Sequence, residues 1–398
     1  LADSSLKHYC SAGFTLTTDI AAYAGTAGSA GFTVNAGGYL VADSTADIMG
    51  VDREAISVAG ETYHLMLVKF LPPATLNAAQ SSPVATASND TSTSRLNVEW
   101  VQNTDTSHYR MRLTDGAART VLATGVTDYA TGADRVCIVE MDGTTARLHV
   151  WNGSAWVADC SAVYAGKFSA AAGQGRLAAS ANLSGAQTQR LYALVGCGSN
   201  SRAVAPDGNP AFAASLPNAN GSYDQYGDQT SCIAGSTAGD VDRWDDWVTG
   251  NNDGATTFNC EFASEAGAIT SAFPNTTVPT GFFGVHIRAL GRHNIPGGSK
   301  TVRTRIRLSN ATPTNVDYEN VNLTDNFQLR DQGFHQSAAG NAWTQTEWDN
   351  TQAGVLSFNN PANDQWTAIG AELCGVGNAA LPAIAGAASP DRMRGRWP

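Results

Sequence analysis

An all-β fold, built as two tandem antiparallel β-sandwich domains, is predicted by three features of this 398-residue sequence. Gly, Ser, Thr, Asn and Ala are abundant and only 15% of residues are charged, which suits short strands joined by many turns; long amphipathic helices need more Leu, Glu and Lys. Period-two alternation recurs: Arg303, Arg305 and Arg307 share one face of a strand while Val302, Thr304, Ile306 and Leu308 share the other. Turn dipeptides separate the strands, with Asp142-Gly143 and Asn152-Gly153 as the clearest pair. At about 100 to 200 residues per domain, the length accommodates two domains.

The first domain is expected over residues 1–198. FTVNAGGYLV supplies a strand with Phe32, Val34, Tyr39 and Leu40. Residues 62–71, TYHLMLVKFL, are nearly all apolar and so predict a central strand covered on both faces. Residues 72–94 are poor in apolar side chains and predict a long surface loop, after which RLNVEWV and YRMRLTD resume as strands. In residues 135–159, two-residue turns set a register by counting: Met141 opposite Thr144, Val139 opposite Ala146, Cys137 and Val157 opposite Leu148, and Trp156 opposite His149. Cys137, Val139, Met141, Ala146, Leu148, Val150 and Val157 then line the core. The reverse face carries Val136, Ile138, Arg147, His149 and Trp156, which is more apolar than a free sheet surface; it predicts a contact covered by a neighbouring subunit, the other domain or the 72–94 loop. GRLAASANL and QRLYALVGC add two strands.

Residues 199–228, rich in Pro and in Asp-Gly and Asn-Gly pairs, are expected to be a linker, and residues 229–376 a second sandwich. Its helix is predicted over 345–353. Thr344 is the N-cap with Glu347 three residues on, Trp343 and Trp348 flank the cap as a hydrophobic staple, and Gly354 stops the helix before Val355, Leu356 and Phe358 resume a strand. Residues 377–398 are Ala-, Gly- and Pro-rich and end in Arg392, Met393, Arg394, Arg396 and Trp397. That segment predicts an extended arm anchored on another subunit, since Trp and Arg dominate interface hot spots.

The meander with its Asp-Gly hairpin and WNGSAW turn resembles the concanavalin A-like or laminin G-like jelly roll over roughly residues 1–198. TVRTRIRLS, NVNLTDNFQLR, AWTQTEWDNTQAGVLSF and NDQWTAIGAEL together resemble the C-terminal β-sandwich module of tailed-bacteriophage virion proteins, over about residues 222–376. The resemblance implies a structural protein of the virion with no catalytic residues, and other capsid or tail subunits as partners. Jelly rolls host many functions, so the fold alone selects none.

A formal charge of -11 argues against a nucleic-acid-binding body, which needs a basic face. The most apolar run, HLMLVKFL, contains Lys69 and ends at Pro72-Pro73, so neither a signal peptide nor a membrane span is expected. Seven scattered cysteines without a CxxC are expected to be reduced, mostly buried thiols, against one or two bridges in an oxidising compartment. Glycoside chemistry needs two carboxylates flanking one bond. Glu261 and Glu265 are four apart, and Asp245 and Asp246 are adjacent and point oppositely. No nucleophile elbow, phosphate loop or paired-histidine motif occurs, and the turn 251–254 fails as an EF-hand because Cys260 would fill its twelfth position. No catalytic residue, metal or cofactor is therefore expected. Trp244 and Trp247 around Asp245 and Asp246 offer a glycan platform of stacking rings and hydroxyl-binding carboxylates; the alternative puts one indole in the core and the other over a sheet edge. The reading that follows is a non-enzymatic, homo-oligomeric virion protein: a head decoration or cement subunit, or a short appendage, assembled in the host cytoplasm, with host-surface glycan as a further partner. The alternatives are a secreted, extracellular lectin or adhesin and, below it, a polysaccharide-active enzyme.

Overall fold

Apolar residues on both faces of one strand require three layers of chain around it, and this requirement organises the computed structural model. The structure describes residues 6–17, 20–24, 31–43, 48–50, 62–89, 95–164, 175–184, 187–199, 208–217, 219–224, 259–260, 268–273, 276–293, 300–308, 314–317, 321–323, 328–358 and 364–376. The chain is all-β, with several antiparallel sheets and, among the described residues, two very short helices, α1 (Ala21–Ala24) and α2 (Gln345–Asp349).

The first half runs β1 (Leu6–Ala12), β2 (Phe32–Asn35), β3 (Tyr39–Ala42), β4 (Ile48–Gly50) and β5 (Tyr63–Leu71). Next come β6 (Ser81–Asn89), β7 (Arg95–Gln102), β8 (His108–Asp115), β9 (Thr120–Thr124) and β10 (Tyr129–Ala130). It ends with β11 (Arg135–Asp142), β12 (Thr145–Trp151), β13 (Trp156–Val163), β14 (Gly175–Ser180) and β15 (Gln189–Ser199). The first sheet has the order β13-β12-β11-β5-β15-β3-β2, with β1 also on β15; the second has the order β10-β8-β7-β6-β14-β4, with β9 on β8. Met66, Val68 and Phe70 of β5 face the second sheet, whereas Tyr63, Leu65 and Leu67 face away from it.

The second half runs β16 (Ala211–Ser215), β17 (Ala219–Asp224), β18 (Asn259–Cys260), β19 (Ala268–Ala272), β20 (Phe282–His293) and β21 (Lys300–Leu308). It closes with β22 (Thr314–Asp317), β23 (Val321–Leu323), β24 (Gln328–Phe334), β25 (Thr351–Phe358) and β26 (Asp364–Gly375). The third sheet has the order β16-β26-β20-β24, with β18 on β26; the fourth has the order β17-β19-β25-β21-β22, with β23 on β21. Their shared core holds Val285, Ile287, Ile369, Leu373, Val302, Ile306 and Val355. Tyr9, Leu65, Leu67, Val136 and Ile138 of the first sheet meet Phe283, Cys374 and Val376 on the far side of the third. The sheets therefore stack as second, first, third and fourth.

The predicted faces of residues 135–157 hold at Cys137, Val139, Met141, Ala146, Leu148 and Val150, all in the first core. The register differs. Asp142 pairs with Thr145 and Val139 with Leu148, because the turn is Gly143-Thr144 with Gly143 at φ +59°. A glycine at the first central position suits a type II′ turn, and a two-residue shift leaves every side chain on its face. The next connection is four residues long, since Asn152 Oδ1 accepts from the backbone N–H of Ser154 (3.0 Å) and Ala155 (2.8 Å). Trp156 therefore lies opposite Trp151 and not His149, Val157 lies opposite Val150 and not Leu148, and a bulge follows at Leu148/His149. On this edge strand Val157 is 44% exposed, which corrects its placement in the core.

Two further expectations change. Residues 72–94 include β6, whose inward positions are filled by Val84, Ala85 and Ala87; small side chains hid the strand from a hydrophobicity reading. The expected linker, 199–228, contains β16 and β17, which pair with β26 and β19 of the second sandwich.

Thr344 caps α2 as predicted: its hydroxyl accepts from Glu347 N–H at 3.1 Å, and Trp343 and Trp348 meet edge-on with centroids 6.1 Å apart. The helix ends earlier than 353. Asn350 and Thr351 satisfy the last carbonyls, the Asn350 amide donating to Thr346 O (2.8 Å) and the Thr351 hydroxyl to Glu347 O (2.6 Å), so Gly354 lies within β25 opposite Arg305.

Leu148→Ala is expected to cost about 2–5 kcal/mol and Val157→Ala little, as read from urea unfolding midpoints. Thr344→Ala is expected to cost about 1 kcal/mol in the same measurement.

Candidate functional site

The apolar reverse face of β11–β13 is where the sequence places a contact, and the chain's own second sandwich covers it. Val136 (7% exposed), Ile138 (0%) and Trp156 (3%) pack in the seam with Phe283, Cys374 and Val376. Of the three covers expected for this face, a neighbouring subunit, the other domain or the 72–94 loop, the other domain supplies it at Val136, Ile138 and Trp156, so these three are interior residues and not a surface for another subunit. Trp156 meets Trp151 edge-on at 5.1 Å, and Gly208 lies against the Trp151 ring where any side chain would collide. His149 is buried, with Nε2 3.1 Å from Glu140 Oε2; Arg147 reaches Asp142 at 3.8 Å.

The seam also holds a fully buried Arg–Glu ion pair. Arg288 of β20 and Glu372 of β26 point away from the second core toward the first domain, and both side chains are fully buried with Nη1 2.9 Å from Oε2. Moving such ions out of water costs several kcal/mol each unless geometry and hydrogen bonds compensate. Here they do. Arg288 Nη2 donates to the Ser11 carbonyl at 2.7 Å, and its guanidinium lies over the Tyr23 ring at 5.1 Å. Glu372 accepts from the backbone N–H of Gly13 (3.3 Å) and Thr15 (2.8 Å) and from the hydroxyls of Thr15 (3.1 Å) and Tyr23 (3.4 Å). Phe14 between them takes φ +56°, a conformation few non-glycine residues adopt, and this turns both flanking amides toward the carboxylate. Ser11 N–H donates to His286 Nδ1 at 3.0 Å, so the N-terminal strand is held at successive points. Close approach is needed as well: a Cβ on Gly284 would lie 2.5 Å from the Tyr9 ring.

The phenols and the thiol beside this centre are all shifted toward keeping their protons. Burial, then Glu372, raises the Tyr23 phenol well above its ordinary value; burial, then Cys374, does the same to Tyr9. The Cys374 thiol is pushed up to about 12, chiefly by burial. A nucleophile or base for neutral pH needs the opposite shift.

The outer face of the second sheet is polar, and most of its buried groups are paired with one another, Arg110 Nε being an exception. Fully buried Glu99 accepts from Arg112 Nε (2.8 Å) and Thr114 Oγ1 (2.9 Å), Arg112 Nη2 donates to Ser81, and Thr86, Asn97 and Thr114 continue the chain. Asp159 sits in the bulge of β13 beside Tyr129, whose hydroxyl donates to it at 3.3 Å, and burial raises its carboxyl above the ordinary aspartate range. Among the described residues no group of three or more His, Cys, Asp or Glu is arranged to hold a metal ion, and no helix is long and apolar enough to cross a membrane.

The remaining predicted site residues divide clearly. Trp244, Asp245, Asp246 and Trp247, and Arg392, Met393, Arg394, Arg396 and Trp397, lie outside the described residues. Arg305 forms an ion pair with Asp317, and Arg307 donates to the neutral Asn315 side chain. Cys10, Cys137, Cys197 and Cys374 are buried free thiols and Cys160 a half-buried one. Arg288 and Glu372 were missed; each is the single charge inside an apolar run, FFGVHIRAL and AIGAELCG, and that isolation is the signal that marks them.

This is an all-β protein of stacked antiparallel sandwiches. Three solved structures show distant structural similarity to it. The alginate lyase A1-II', of polysaccharide lyase family 7, has a TM-score of 0.31 at 14% identity over 43% of this chain and 85% of the lyase. A family 43 glycoside hydrolase from the xyloglucan utilisation locus of Bacteroides ovatus has a TM-score of 0.35 at 7% identity over 47% of this chain and 38% of its own. A protein of unknown function from Shewanella oneidensis has a TM-score of 0.28 at 14% identity over 42% and 72%. No protein-family model and no curated protein matches the chain. Similarity at this level assigns no role to any residue.

Glu372→Ala, which strands a buried guanidinium, is expected to cost about 3–5 kcal/mol in urea unfolding. For Asp159 the folded carboxyl holds its proton more tightly than the unfolded one, so its contribution to stability falls as pH rises from the ordinary value of about 4 through the raised one. Asp159→Asn is expected to remove that decline and raise stability at neutral pH, as measured by unfolding midpoints across the acid-to-neutral range.

Proposed function

We propose that this chain is a non-enzymatic structural protein of a tailed-bacteriophage virion, acting as a head decoration or cement subunit or as a short surface appendage. The observation that carries the reading is the seam. Two sandwiches clamped through a buried ion pair and an apolar contact make one stiff body, suited to association and to mechanical load. The resemblance of residues 222–376 to a virion module supports the same assignment, with capsid or tail subunits and further copies of the chain as partners. The titratable groups that are most deeply buried are committed to structural pairs, which supports a role in binding and packing over one in bond cleavage.

Mass spectrometry of purified particles from a phage encoding this chain tests the proposal. The expected result is the protein at many copies per particle, with no release of reducing or unsaturated sugar ends from polyuronates or xylans. Absence from purified particles, or such release, overturns it. A second reading, glycan binding, is favoured by one exposed cluster of aromatic and cationic side chains.

A further inference from the structure

We propose that the exposed end of the first sheet, around β3 and β15, is a binding site for an acidic polysaccharide of the polyuronate class. The inference goes beyond virion placement and does not depend on it. A bulge between Leu191 and Ala193 leaves Tyr192 as the extra residue of β15, and bulges of this kind redirect side chains beside functional sites. Tyr192 stands beside Tyr39 of β3, with ring centroids 5.4 Å apart and planes inclined by 54°. Arg190 lies 5.1 Å over the Tyr39 ring and Lys69 Nζ 5.8 Å over the Tyr192 ring. Among the described residues Asp134 is the acid paired with this cluster, 3.8 Å from Lys69 and 49% exposed.

Lys69 shares the face of Leu65 and Leu67, yet those two are buried in the seam while Tyr39, Lys69 and Tyr192 are half-exposed and Arg190 is exposed. The second sandwich thus leaves this end of the face open. The chemistry of the occupant follows from the groups. Two inclined phenol rings offer apolar faces to the C–H faces of sugar rings, and their hydroxyls hydrogen-bond to sugar hydroxyls. A guanidinium binds carboxylate through two parallel hydrogen bonds, and a nearby ammonium adds a point charge. Two cations against one acid make a positive spot on a chain of net charge -11, so the charge complementarity is local and selects an anionic ligand. Two rings and two cations span a few sugar units, far less than the roughly 800 Å² per partner of a stable protein interface, which favours a glycan over a protein occupant.

Affinity electrophoresis through gels containing polygalacturonate, with dextran as the neutral control, tests the site on the full chain. The expected result is retardation by polygalacturonate but not by dextran, weakened by added salt. Arg190→Ala and Tyr192→Ala are each expected to weaken binding about tenfold, the order of one charge-assisted hydrogen bond or one stacked ring, while Tyr192→Phe keeps most of it. Unchanged thermal melting shows that the variants fold; if Tyr192→Ala lowers it, exposed Arg190→Ala decides alone. No retardation by polygalacturonate, equal retardation of the parent and Arg190→Ala proteins, or equal binding to dextran overturns the proposal. These outcomes leave the particle analysis untouched, so each reading fails separately.

Discussion

The buried pair of Arg288 and Glu372 is the constraint on which the arrangement of the four sheets depends. The two side chains are fully buried 2.9 Å apart, and removing either partner would strand the other away from solvent. The carboxylate's remaining hydrogen bonds come from Gly13, Thr15 and Tyr23, in the first domain. The ion pair belongs to the second sandwich, but its completion belongs to the first. Separating the domains would strip Glu372 of those donors, so the two halves are energetically one object.

The same logic governs the rest of the seam. Strands β1, β5 and β11 carry apolar side chains on both faces, which commits the first sheet to a cover on each side. Glycines at 13, 208 and 284 let the covering layer approach until backbone meets ring, and Gly333 lets it meet the Tyr9 carbonyl. Apolar contact supplies attraction without direction. The ion pair and the His286 contact with Ser11 supply direction, and so define a single docking geometry.

For function, the consequence is a division of labour between inside and outside. Glu99, Glu140 and Glu372, the deeply buried carboxylates, each lie beside a cation or a histidine. Groups locked in this way stabilise an architecture. Chemistry with a partner falls to what stays exposed, and there the aromatic and cationic cluster of β3 and β15 is distinguished by its inclined rings and its charge.

Local physics made part of this legible from residues alone. Alternation assigned Cys137, Val139 and Leu148 to the core and Val136, Ile138 and Trp156 to a covered reverse face, because side-chain direction in a strand depends only on parity. The Thr344 cap and its tryptophan staple were equally local, as was the two-faced strand β21. Tertiary structure decided what parity leaves open. The hairpin slipped by two residues without changing a face, a bulge turned Tyr192 outward, and the second sandwich became the cover for the first sheet. Arg288 and Glu372 show the reason most plainly. Each looks like a stray charge in an apolar strand, and the groups that make it stable lie more than 270 residues away in the chain for Arg288 and more than 340 for Glu372. Sequence by itself determined which side chains face inward; only the closed fold determined what they face.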